Sequence, residues 1–419
     1  MNHRISHHRH DSFSSTGNPD VSGFILREDR KLQQQSYYIE DDEGRSMAEP
    51  QHQLQSFEEQ QYEHACKIWF QVPRGMAERE FRALSPNERE QVWADLTGHE
   101  LLSKVQERLA QFDKSPSETQ SLVRKLHKQL TNHLPNNQNQ EGGGSDMDAL
   151  AIALQNSPSY VVNVSTLTKF LTCQEWKVEA AYQMMKLHFQ IKQTLFGNDL
   201  LGKDITLEDL DDRTLQCIEC GAYQYSYYNR DRAGRAFSLL NLSNLKHHPQ
   251  NFTSVEISRA LFFQDMVLSN DESVHRLGVV RLCYFDSHQG YYHHHRGPDY
   301  ELIRVCGKVL SGMPIRTVAF YIIITAEMDS PWLKASDVIV VLVNAFLRAR
   351  TRIIQGSFME NMYTLMCLGI PTDRHFPVEI DGNPKTDKLY KWLKRRRVLE
   401  RKQRSLQLGK CIEISRRHQ

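Results

Sequence analysis

Residues 317–354, TVAFYIIITAEMDSPWLKASDVIVVLVNAFLRARTRII, constrain the fold more than any other stretch of this chain. The run Val318-Ala319-Phe320-Tyr321-Ile322-Ile323-Ile324 is apolar throughout and rich in β-branched and aromatic side chains. It reads as a buried central strand. Ser330-Pro331 then predicts a helix start, with serine as N-cap and proline at the first helical position. The helix continues through Val338-Ile339-Val340-Val341-Leu342-Val343 to Leu347 and is apolar on nearly all sides. Such a helix is deeply buried or covers something greasy. It is too short, and too closely flanked by Asp329, Lys334, Asp337 and Arg348, to span a bilayer, which needs roughly 20 apolar residues.

The rest of the chain frames that unit. With 419 residues there is length for two or three domains. Net charge is +1, from 52 basic and 51 acidic residues, so the overall field selects no partner. The first residues, MNHRISHHRHDSFSSTG, have no apolar leader core, and eight scattered cysteines suit a reducing compartment. A cytoplasmic protein is expected, and the sequons at Asn163, Asn241 and Asn251 are then chance matches.

Along the chain, residues 1–56 read as a disordered polar tail. Residues 57–145 read as a helical region ending in a Gly-rich linker. Ser85-Pro86-Asn87-Glu88 and Ser115-Pro116-Ser117-Glu118 are capping boxes that each start a helix, and residues 101–112 suit another between them. Residues 146–210 form a further helical subdomain, with Leu167, Phe170, Leu171, Val178, Ala181, Tyr182 and Met185 at near-helical spacing. From 211 to 384 strands and helices alternate. Residues 234–240 read as turn then strand, further strands are expected over 278–285 and 318–324 and again near 352–355, and helices over 254–268, 298–310 and 358–368. Such alternation predicts an α/β sheet with parallel pairs. Residues 385–419 read as a basic C-terminal helix and tail.

Four short motifs stand in this order. Lys169-Phe170-Leu171 precedes Trp176-Lys177-Val178-Glu179-Ala180-Ala181; Asp231-Arg232-Ala233-Gly234-Arg235 precedes the first strand; Asp286-Ser287-His288-Gln289-Gly290 closes the next; and Phe376-Pro377-Val378-Glu379-Ile380-Asp381-Gly382 lies near the end. Together, over residues 161–399, they resemble the CRAL-TRIO, or Sec14-like, lipid-binding family as a divergent member. The chain departs from that pattern at Thr172-Cys173, at Thr325-Ala326-Glu327 and at Asp381. The resemblance implies a Sec14-like, largely parallel sheet flanked by helices, with a lipid pocket closed by a gate helix. Leu282, Tyr284, Phe320, Ile322 and Ile324 would face the ligand or the opposite helix layer, the alternation leaving open which set points inward. Trp332, Val338, Val341, Leu342, Ala345 and Phe346 would form the gate.

The implied role is lipid binding or transfer, with no catalytic residue, no metal and no cofactor beyond a bound hydrophobic molecule. An interaction or GTPase-regulatory module with a vestigial pocket is the alternative. Hydrolase and nucleotide signals (GxSxG, HExxH, P-loop) are missing, so no enzymatic role is expected. Cys217-Ile218-Glu219-Cys220 lacks the second ligand pair that zinc wants. The histidines of Tyr291-Tyr292-His293-His294-His295-Arg296 are adjacent and cannot converge on one ion. The strongest local charge is KLYKWLKRRRVLERKQR, beginning at Lys388, with an apolar stripe of Leu389, Trp392, Leu393 and Leu399. It suits a solvated capping helix, a membrane-surface helix presenting Lys394, Arg395, Arg396 and Arg397, or a nucleic-acid patch. Of these partners the expected ones are a lipid ligand and a membrane surface, with no specific nucleic acid.

Overall fold

The computed structural model describes residues 76–98, 110, 113–132, 148–226, 230–247, 251–286, 300–325, 345–372, 376–380 and 382–417. The polar tail, most of the helix expected over 101–112, the histidine run at 293–295, and Trp332, Val338, Val341 and Leu342 of the expected gate lie outside them.

The chain folds as a mixed α/β structure around one five-stranded sheet. Its strands are β1 (Tyr223–Tyr225), β2 (Ala236–Asn241), β3 (Val279–Asp286), β4 (Thr317–Thr325) and β5 (Thr351–Gly356), and they lie in sequence order. β1 pairs antiparallel with β2, and the other neighbours pair parallel. The short strand β1 gave no apolar run long enough to be read from sequence. The central strand is as the apolar run demands: Ile322, Ile323 and Ile324 of β4 are fully buried.

Between β2 and β3 runs a long helix, Ser254–Leu268; between β3 and β4 runs Tyr300–Ser311. Both contribute to one apolar cluster with Leu240, Cys283, Phe320 and Ile322, so both lie on the same face of the sheet. Consecutive parallel strands joined by right-handed crossovers place their connections on one side. The other face must therefore be covered from elsewhere in the chain. It is covered by α1 (Met76–Ala83), α2 (Pro86–Thr97) and Phe358–Cys367, through Val92, Leu96, Met362 and Leu365.

Both N-terminal capping boxes form. The Ser85 backbone N–H donates to Glu88 Oε2 at 2.8 Å while the Glu88 N–H donates to Ser85 Oγ, and Ser115 with Glu118 repeats the exchange. The second box starts α3 (Pro116–Asn132), which packs into a separate helical cluster with α4 (Ala149–Asn156), α5 (Val164–Cys173) and α6 (Val178–Phe196). The region expected as one helical unit over 57–145 thus divides: α2 backs the sheet, and α3 joins the helical layer. Helix α6 serves two cores. Ala181, Tyr182, Met185 and Phe189 face the helical cluster, whereas Ile191 and Leu195 belong to the sheet cluster.

A buried ion pair and two hydrogen bonds fix α2 in place. Arg350 Nε donates to Asp95 Oδ2 at 2.9 Å, and Arg235 donates to the Asp95 carbonyl. Tyr321 of β4 donates its hydroxyl to the Leu96 carbonyl. The Asp231–Arg235 motif is the turn that presents Arg235. Asp231 Oδ1 accepts the backbone N–H of Arg235 at 2.7 Å, and Arg235 Nε reaches Asp231 Oδ2 at 2.6 Å. Gly234 lies in the left-handed region, at φ 78°. Gly369, at φ 84°, lets the chain pass close by; a Cβ there would stand 2.9 Å from the Thr97 carbonyl.

The helix Thr253 caps, α7 (Ser254–Leu268), carries Asp265 to the opposite face of the sheet. α8 (Tyr300–Ser311) lies beside it, and α9 (Ala345–Ala349) precedes β5. α10 (Phe358–Cys367) follows β5, and α11 (Asp387–Arg417) closes the chain. Leu389 and Leu393 of α11 are buried in the sheet cluster. Among the described residues no helix is long and apolar enough to cross a membrane.

His188 of α6 sits in the seam between helical layer and sheet, its Nδ1 3.1 Å from the Gly312 carbonyl and its ring among Phe170, Phe189 and Phe262. Burial, with the nearby Lys192 charge, pushes its pKa down to about 3. The unfolded chain titrates this group near 6.5. Below that pH the unfolded state binds a proton that the folded state refuses, so stability falls as pH falls from 6.5 towards 3. This contribution is expected to reach about 2 kcal/mol by pH 5. Urea titrations at pH 7 and pH 5 measure it, and His188→Asn should show a shallower loss than the wild type despite lower stability at pH 7. Leu96→Ala, which opens a void between α2 and the sheet, should cost about 2–5 kcal/mol in the same assay.

Candidate ligand cavity

A cavity of about 500 Å³ lies between the sheet and the helices of its crossover face. The sheet supplies Tyr223, Ser238, Leu240, Arg281, Cys283 and Phe320. Opposite stand Ile303, Cys306 and Leu310 of α8, one helical turn apart or nearly so. The turn between α5 and α6 forms a rim with Gln174, Glu175 and Lys177. There Glu175 and Trp176 both adopt left-handed backbone, at φ 51° and 65°. For non-glycine residues each costs about 1–2 kcal/mol. The Trp176 N–H offsets part of this by donating to the Leu171 carbonyl at 2.7 Å.

Register decides where the expected pocket residues fall. Leu282 pairs with Tyr321, and Tyr284 pairs with Ile323. Side chains alternate between faces along a strand, so Leu282 and Tyr284 point to the α2 face, away from Phe320, Ile322 and Ile324. The five therefore do not line one site. Phe320 is a wall of the cavity, and Leu282 borders it although its side chain belongs to the other cluster. Ile322 and Ile324 are on the cavity's face but pack into the apolar cluster rather than its wall. Tyr284 is turned away; its hydroxyl accepts from Thr325 at 3.2 Å. Of the expected gate, Ala345 and Phe346 begin α9, and the next residue, Leu347, borders the cavity.

Sequence reasoning missed the most polar wall residue. Arg281 is the single charge in the apolar strand VVRLCYF, and that interruption is the signal that singles it out. Only 5% of its side chain is exposed. Its Nη1 and Nη2 each meet an Asp265 carboxylate oxygen at 2.8 Å. Nη1 also reaches the Tyr223 hydroxyl at 2.6 Å and the Ser238 hydroxyl at 3.0 Å. Burial pushes the Tyr223 hydroxyl up, so it stays neutral and donates to Asp265. A bidentate pair of this kind is geometrically exacting, and removing one partner leaves a buried charge.

The basic helix spends its stripe on packing. Leu389 and Leu393 are buried, and Trp392 stacks edge-on against Tyr225 at 5.5 Å. Of the four residues expected at a membrane surface, Lys394 and Arg395 are exposed. Arg396 pairs with Glu400 within the helix, and Arg397 pairs with Glu219 at 3.2 Å. Leu399, expected in the stripe, is exposed instead. The Cys217–Cys220 pair is a helical turn in which Cys220 Sγ lies 3.0 Å from the Cys217 carbonyl. No group of three or more metal-ligating side chains occurs among the described residues.

No protein-family model matches this chain, and no curated protein matches it.

Three of the cavity's wall residues are thiols, Cys173, Cys283 and Cys306. Burial pushes Cys173 up to about 12 and Cys283 higher still, whereas Cys367 is exposed. At pH 8 the thiolate fraction at Cys173 is then on the order of one in ten thousand. Iodoacetamide at pH 8 should modify Cys367 well before Cys173 or Cys283, which react only on unfolding. Peptide mass spectrometry over a time course measures the order, and early labelling of Cys283 would contradict the burial of this thiol.

Proposed function

We propose that this chain binds a hydrophobic ligand in the 500 Å³ cavity and transfers it between membranes. In this reading it is a divergent Sec14-like, CRAL-TRIO protein of the cytoplasm with transient membrane contact, and no catalytic residue is assigned. One observation carries the reading: the space between sheet and crossover helices is not filled by side chains, although its walls are mostly apolar. Leu240, Ile303, Leu310 and Phe320 supply the contact that an aliphatic chain loses on leaving a bilayer. That contact is worth about 0.8 kcal/mol per methylene. The volume lies within the range of about 300–1,000 Å³ usual for sites that enclose one small molecule. The gate reading of residues 332–347 draws on its described end, where Leu347 borders the cavity. Lys394 and Arg395 are exposed and would bring positive charge to an anionic surface in this reading.

The interaction-module alternative draws on a different feature. Met359, Tyr363 and Met366 of α10 are all at least half exposed and recur at helical spacing on one side. A vestigial pocket, however, is expected to be filled, and this one is open.

Gly307 of α8 borders the cavity, and a Cβ built there meets nothing within 4 Å. Gly307→Phe should therefore fold normally while narrowing the space. Organic extraction of purified protein followed by mass spectrometry should recover about one hydrophobic molecule per chain from the wild type and much less from Gly307→Phe. Uptake of a labelled lipid from vesicles should fall in parallel. An empty wild-type protein that takes up nothing from vesicles rules the reading out.

A further inference from the structure

We propose that the cavity takes a single-chain aliphatic ligand ending in a carboxylate, and that Arg281 and Arg316 hold that carboxylate. The proposal rests on the reading of the cavity as a ligand site. Arginine carries five N–H donors in one plane. Asp265 takes one from each terminal nitrogen of Arg281, and the Tyr223 and Ser238 hydroxyls gather at Nη1. Nε of Arg281 is buried with no hydrogen-bond partner. Its N–H shares an edge of the guanidinium with the remaining N–H of Nη2. Two parallel donors on one edge are the arrangement a carboxylate matches with both oxygens. Asp265 already spends its oxygens on the other edge and on Tyr223.

Arg316 borders the same cavity, with its Nη2 donating to the Arg276 carbonyl at 3.0 Å. Cys173, in the wall, feels the positive charge of both arginines. Among the wall residues the cations are Arg281, Arg316 and Lys177, and the anion is Glu175, which pairs with Lys177 at 3.1 Å. Asp265 answers the Arg281 charge and Glu175 that of Lys177, so it is the unfilled donor edge of Arg281 that favours a two-oxygen acceptor, while the apolar remainder favours hydrocarbon. A volume of about 500 Å³ suits one chain with a compact head group.

Isothermal titration of delipidated full-length protein with dodecanoate and with dodecan-1-ol tests this. Dodecanoate should bind about tenfold or more tightly than the alcohol, the worth of a charge-assisted hydrogen bond. Arg316→Met should remove much of that ratio. The double variant Arg281→Met/Asp265→Leu, which leaves no buried charge alone, should do the same. If the double variant does not fold, Arg316→Met and the wild-type ratio decide. Equal affinities for acid and alcohol, or an acid preference that survives the variants, overturn the head-group assignment alone. Failure of both probes to bind overturns the cavity reading beneath it.

Discussion

Strand order is the constraint on which the rest of this structure depends. Because β2, β3 and β4 are neighbours in the order they are made, their connecting helices share one face. Ile323, Tyr321, Tyr284 and Phe237 on the other face are then bare unless segments other than these connections cover them, as α10 does in part. The N-terminal pair α1–α2 does so, and its docking is not apolar contact alone. Asp95 meets Arg350, the Asp95 carbonyl meets Arg235, and the Leu96 carbonyl meets Tyr321. Each of these groups is buried, so each is costly unless paired, and together they admit one seating of α2 on the sheet.

The two faces handle buried charge differently. On the α2 face, the Asp95–Arg350 pair joins segments distant in sequence. On the crossover face, Arg281 and Asp265 join a strand to the helix that precedes it, and the same arginine borders open space. A hydrophobic pair would pack that position at less electrostatic cost. The polar group sits where the core is incomplete, which is the usual circumstance of a site rather than of a scaffold.

Much of the fold was legible in the sequence, for physical reasons that can be named. The strand 318–324 is apolar on both faces and could only be central. Ser85, Ser115 and Thr253 announced helix starts through capping chemistry that is local. Asp231-Arg232-Ala233-Gly234-Arg235 announced a turn for the same reason, although the partner of Arg235, the carbonyl of Asp95, is 140 residues away and left no local trace. The pocket was less legible. Choosing Leu282 and Tyr284 with Phe320 put residues of opposite faces together, since the pairing of Leu282 with Tyr321 is a tertiary fact. A bulge-like shift between Val279 and Val280 further breaks any simple count along β3 and β4. The helical walls were missed because Ile303, Cys306 and Leu310 look, in sequence, like the inward face of any amphipathic helix.

Helix α6 carries a further consequence. Its Ile191 and Leu195 complete the sheet's core, while Ala181, Met185 and Phe189 complete the helical one. A boundary placed at residue 211 therefore separates motifs but not cores. A fragment beginning there would lose Ile191, Leu195, Ile205, Leu207 and Leu210 from the sheet's core, together with the Glu175–Lys177 rim of the cavity. The compact unit is therefore larger than its strand-bearing half. Its helical layer is as much a part of the cavity's architecture as the strands that floor it.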